Sequence, residues 1–93
     1  MQDVLLAYES NKRQVIPKYT REALERYVQH QIPPGSFLIA VLSNDLKESF
    51  RCADDVNIAN IFAIVKYIYN EVPMSAWGSR ENVRYWLSGG VDE

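Results

Sequence analysis

Residues 54–72, DDVNIANIFAIVKYIYNEV, form the longest strongly periodic stretch of the chain. Ile58, Ile61, Phe62, Val65, Ile68, Tyr69 and Val72 recur at i, i+3, i+4, i+7, i+10, i+11 and i+14. That spacing sets seven large apolar side chains on one face of a helix. Asp54 or Asp55 is suited to cap the start, accepting a bond from an orphan backbone N–H and favouring the positive end of the dipole. Pro73 ends the element, because it cannot continue the hydrogen-bond ladder and pushes Val72 out of the α region. The expectation is a helix over 55–72 whose apolar face needs a partner surface along most of its length.

The neighbouring segments look built to supply that surface. Downstream, Ser79 reads as an N-cap, Glu81 sits in the first turn, and Gly89 is placed to close a short helix over 79–88 in the left-handed conformation. Val83, Trp86 and Leu87 make its inward stripe. Upstream, SFLIAVLSNDLKESFR spells a helix over 36–51, with Leu38, Val41, Leu42, Asp45, Leu46, Ser49 and Phe50 on one face. Asn44 and Asp45 are poor helix formers in its middle. Earlier still, TREALERYVQHQI predicts a helix over 20–32, capped by Thr20 and turned inward at Leu24, Tyr27 and Val28. Pro33-Pro34-Gly35 breaks it, with Pro34 suited to the start of the next helix. Residues 1–17 alternate poorly and read either as two short extended segments, Val4–Ala7 and Gln14–Ile16, or as an apolar arm against the helices.

Short connections imply helices that pack on their neighbours. The fold class expected is therefore all-α, a compact single-domain bundle of about four helices over 1–93, with 1–17 as an N-terminal arm and 18–89 as the helical core. A chain of 93 residues buries roughly 60–65% of its unfolded surface, so it can fold alone with a modest margin. Its 47% hydrophobic and 24% charged residues are ordinary for a soluble globular protein.

The formal net charge of −2 argues against a phosphate-binding surface as the dominant feature. Cys52 is the only cysteine, so there is no internal disulfide framework and no cysteine-based zinc site. No run approaches 18 continuous apolar residues, so no membrane partner is expected. These features point to a soluble, cytoplasmic protein. Gly-rich phosphate loops, G-x-S-x-G, H-E-x-x-H and a Cys–His couple are absent, and no cofactor is expected.

Several polar and aromatic residues merit weighing. His30, the only histidine, lies beside a helix end, where it reads as a surface residue or dipole partner rather than a base. Asn44-Asp45 interrupts a helix that otherwise wants burial. The Asp45 carboxylate is expected at the core edge, bound to a backbone N–H or to Arg80 or Arg84, because a buried carboxylate is costly unless paired. Asp54, Asp55 and Asn57 superficially resemble an oxygen-ligand cluster, but calcium loops need more ligands and a turn glycine, so capping is the expected role and no metal site is expected. Trp86 reads as core; Trp77, in a loop, reads as a cap on the bundle end. Tyr67, with Arg84 and Tyr85, is suited to an amphipathic contact surface.

The run from Ile32 to Pro73, with Trp77-Gly78-Ser79 and Trp86, resembles small proteins of unknown function encoded by tailed phages and prophages. The resemblance rests on Pro33-Pro34-Gly35-Ser36-Phe37-Leu38, on Ala40 to Leu46, on Ala53-Asp54-Asp55 and on the Trp77-Gly78-Ser79 turn. It spans roughly residues 16–87 and implies a setting, a bacterial host cytoplasm, without implying catalytic residues. The functional expectation is a non-enzymatic accessory protein that binds another protein, such as a host or anti-phage defence component, through Asn44, Asp45, Tyr67, Trp77, Arg84 and Tyr85. Self-association is left open. The alternative is a nucleic-acid-associated regulator using Lys12, Arg13, Lys18, Arg21 and Arg26, weakened by Glu22 and Glu25 among them. A small enzyme using Asp45 and His30 ranks last.

Overall fold

A computed structural model of the chain describes residues 15–90. The readings made for residues 1–14, including Lys12 and Arg13 of the basic surface, lie outside the described residues. Within them the chain is all-helical, with no strand. The helices are α1 (Lys18–His30), α2 (Ser36–Leu42), α3 (Leu46–Cys52), α4 (Asp55–Ala59), α5 (Ile61–Glu71) and α6 (Arg80–Leu87). A single 3-10 turn, Met74–Ala76, lies between α5 and α6.

Among the described residues six helices stand where about four were expected, because two of the long helices are each broken at an asparagine. Asn44 adopts the left-handed conformation at φ 60°. The Asp45 N–H then bonds back to the Ala40 carbonyl at 2.9 Å and the Asn44 N–H to that of Val41 at 3.0 Å. This is a Schellman closure of α2, and asparagine tolerates it better than most residues. Asp45 at once caps α3, its Oδ1 accepting the Glu48 N–H at 3.1 Å. The second break is milder: Asn60, at φ −119° and ψ 17°, kinks the path between α4 and α5. Helical bonding nearly continues across it, from the Asn60 N–H to the Val56 carbonyl and from the Ile64 N–H to the Asn60 carbonyl.

Other boundaries follow local chemistry. Asp54 Oδ1 accepts the Asn57 N–H at 2.8 Å and Ser79 Oγ the Asn82 N–H at 3.0 Å, so both cap as their types suggest. Gly89 and Gly90, both at positive φ, close α6 through bonds to the Trp86 and Tyr85 carbonyls. Thr20 is not a cap. Helix α1 begins earlier, at Lys18, with the Pro17 carbonyl accepting the Thr20 and Arg21 N–H groups, and Thr20 itself is buried. Helix α2 begins at Ser36 behind Gly35, two residues beyond Pro34.

The core gathers Leu24 and Tyr27 from α1, Phe37, Leu38 and Leu42 from α2, and Ile64 and Ile68 from α5. Val72, Ala76 and Val83 complete it. Helix α5 sits in this core differently from its sequence pattern. Ile64, Ile68 and Val72 are its buried edge, whereas Phe62, Val65 and Tyr69 are exposed, as is Ile58 on α4. The face is turned by roughly 50° from the expected one. The apolar arc of the sequence is wider than the single edge this small core receives. Leu46 and Phe50 on α3, expected inward, are exposed as well, because the break at Asn44 redirects α3.

Tyr27 joins three elements. Its hydroxyl donates to the Ala76 carbonyl at 2.6 Å, and its own carbonyl accepts the Trp86 indole N–H at 2.9 Å and the Gln31 N–H at 3.1 Å. Burial pushes the Tyr27 phenol up to about 12, since the phenolate cannot be solvated there. The folded state therefore holds this proton more tightly than the unfolded chain. The stability it contributes is whole below about pH 10 and is lost as pH rises towards about 12.

Tyr27→Phe is expected to cost about 1–3 kcal/mol in urea unfolding at pH 7, by stranding a buried carbonyl. The variant should also lack this component of the stability loss between about pH 10 and pH 12. At the left-handed break, Asn44→Gly should be near neutral and Asn44→Val should lower stability by about 1–2 kcal/mol, read from thermal and urea midpoints.

Candidate functional site

The end of α5 sets up the most distinctive surface. Pro73 stops the helix, and the 3-10 turn that follows points Ala76 into the core and leaves Met74 almost wholly exposed. Trp77 comes next, and its backbone is fixed from two sides. The Gly78 N–H donates to the Leu42 carbonyl at the end of α2 at 2.7 Å, and Asn82 Nδ2 donates to the Trp77 carbonyl at 2.8 Å. Gly78 takes φ 105°, which a side chain would strain, although its vicinity is open. The loop can thus turn sharply and hold the half-buried indole in place.

Two hollows meet at Trp77. The first, about 450 Å³, is lined by Tyr69, Met74, Trp77, Gly78 and Asn82. Tyr69 meets Trp77 edge-to-face, ring centres 6.3 Å apart and planes at 77°, a geometry favoured by the ring quadrupoles. The second, about 180 Å³, has Asn44, Asp45, Leu46, Ser49, Ile61 and Val65 in its wall beside Trp77. Its polar edge is already engaged: Asp45 caps α3 with Oδ1 and receives Arg80 Nη2 on Oδ2. One turn along α3, Arg51 forks onto Glu48 at 2.8 and 2.6 Å. Those hydrogen bonds, first among the causes, hold the Glu48 carboxyl below its usual range.

Of the residues expected to form a partner surface, Asn44, Asp45 and Trp77 share the second hollow. Tyr67 lies elsewhere, half-buried in a cleft with Leu24, Glu25, Val28, Gln29, Glu71 and Val72. Burial, and then the negative charges of Glu25 and Glu71, raise its phenol pKa. Arg84 and Tyr85 are exposed on α6, with Tyr85 lying against Gly90. Tyr69, Met74 and Asn82 were missed as lining residues. The signal for Tyr69 was the excess width of the apolar arc, and for Met74 its place directly after a helix-ending proline.

The alternative surfaces are thinner. Lys18, Arg21 and Arg26 are exposed on α1, but so is Glu25 between them. His30 occupies the exposed last turn of α1, where a cation suits the dipole, and Asp45 is held on another element by other partners. Among the described residues no group of three or more His, Cys, Asp and Glu could hold a metal ion. No helix among them is long and apolar enough to cross a membrane.

Fold and surface together define an all-α protein carrying an aromatic hollow at one end of its core. No family model, no curated protein and no solved structure matches the chain.

Asp45 separates capping from ion pairing. Asp45→Ala should lower stability by about 1 kcal/mol through loss of the cap. Asp45→Asn keeps a good cap and should be nearly neutral, because a solvent-facing pair with Arg80 contributes little. Chemical denaturation of the two variants side by side checks this.

Proposed function

We propose that this protein is a non-enzymatic accessory protein that acts by binding another protein, with the Trp77 hollow as its anchor site. The observation that carries this reading is the combination of a fixed indole, an edge-on tyrosine and an exposed methionine around one open apolar hollow. Exposed apolar patches with a polar rim mark interaction sites more often than chance allows. Aromatic and methionine side chains are enriched at such sites, where a partner's anchor residue fills a desolvated pocket. Asn82 and the Asp45–Arg80 pair supply a polar rim that would orient the partner.

The resemblance of residues 16–87 to small phage-encoded proteins supports a setting in the cytoplasm of a bacterial host. The partner class proposed is a host or anti-phage defence protein. The protein's size suits a role as a blocker or adaptor of a larger machine through one surface.

A tagged pull-down from nuclease-treated host lysate tests the reading. The expected outcome is one protein recovered near stoichiometry by the wild type and lost with Met74→Lys, whose circular dichroism should be unchanged because Met74 makes no part of the core. Equal recovery by both proteins, or recovery abolished by nuclease, contradicts the anchor assignment.

A further inference from the structure

Beside the Trp77 hollow runs an apolar row that shares Tyr69 with it and extends away from Met74, Gly78 and Asn82. Ile58, Phe62, Val65 and Tyr69 follow one another at intervals of four, three and four, the spacing of a coiled-coil seam. They are exposed by 46, 46, 39 and 74%. Leu46, which lines the same hollow as Val65, is exposed by 70%, and Phe50, one turn further along α3, by 48%. With aromatic side chains of roughly 150–250 Å² each, these exposures leave on the order of 600 Å² of side-chain surface uncovered. That is the upper end of the ~300–600 Å² found for the largest patch on a monomer. It is also most of the roughly 800 Å² per partner of a standard interface.

We propose that a second copy of this chain covers this face, seam against seam in antiparallel order. A two-fold contact sets a patch against itself, so any net charge on it would meet its own sign. The six side chains of this patch are all uncharged. Asp45, at its edge, is already paired with Arg80. Antiparallel packing places Phe62 of each chain beside Val65 of the other and Ile58 beside Tyr69. Lys66, flanking the seam, then meets Ala59 of the other copy and not a second lysine. The seam bends at Asn60, where α4 passes into α5, with backbone hydrogen bonds from the Asn60 N–H to Val56 and from the Ile64 N–H to Asn60 linking the two helices. The two contacts adjoin, since Tyr69 lines the first hollow and Leu46 and Val65 share the second with Trp77 and Asp45, but Met74, Gly78 and Asn82 lie outside the seam.

Sedimentation equilibrium of the full chain from 1 μM to 1 mM tests this. The expected result is a monomer–dimer equilibrium with a micromolar dissociation constant. Val65→Asp and, as a second variant, Phe62→Lys should each weaken it at least 30-fold with circular dichroism unchanged. Both positions are partly solvent-facing, so at least one variant should fold. A wild type monomeric at 1 mM overturns the proposal. A dimer indifferent to both charges overturns it too, by locating the contact elsewhere. Partner capture lost with Met74→Lys is read separately, so either assignment can fail alone.

Discussion

A buried tyrosine hydroxyl needs an acceptor, and in this protein that need ties the chain together. Tyr27 gives its proton to the Ala76 carbonyl and takes the Trp86 indole N–H on its own carbonyl, linking residues 49 and 59 positions away in sequence. Neither bond is a large net contributor by itself, but a buried polar group left without a partner is expensive. The three elements are therefore constrained to arrive together. Among the described residues, no buried side-chain nitrogen or oxygen lacks a partner.

That constraint also shapes the surface. Holding Ala76 inward obliges Met74 outward, and it delivers Trp77 to the end of α2, where Gly78 binds the Leu42 carbonyl. A core drawn from so few residues cannot receive every apolar side chain that the sequence offers, since small domains have little interior relative to surface. Helix α5 commits Ile64 and Ile68 to that core and leaves Phe62, Val65 and Tyr69 outside. Part of the surplus borders the hollows at Trp77, where Tyr69 and Met74 line one and Leu46 and Val65 the other. An exposed apolar surplus of this kind is what the proposed anchor and seam contacts would cover.

What could be read from the sequence was local. Asp54, Ser79 and Gly89 act within three or four residues of themselves, and their side-chain types carried enough information to place them. Asn44 was legible as a flaw in a helix, but not as a left-handed corner, because that conformation is worth adopting only when it turns α3 and lets Asp45 cap it. Thr20 looked like a cap by type, yet the core took it, and the helix started one turn earlier. The rotation of α5 was hidden for a related reason. Periodicity shows that a face is apolar, but an arc broader than the available core has two edges, and only the packed neighbours choose between them. The site was legible in part: Asn44, Asp45 and Trp77 converge, whereas Tyr67, Arg84 and Tyr85 sit apart from them, since nothing in their spacing reports a distance through space.

The central claim is that Tyr27 positions the Trp77 loop, and native-state hydrogen exchange of the Gly78 amide tests it most directly. In the wild type this amide, bonded to the Leu42 carbonyl, should exchange as slowly as the α5 core amides. In Tyr27→Phe it should open at least tenfold more readily, together with the Trp86 indole N–H, while amides of α2 and α5 shift only by the global loss of stability. Gly78 and Trp86 protection unchanged relative to those helices would contradict the claim and leave the loop anchored without Tyr27.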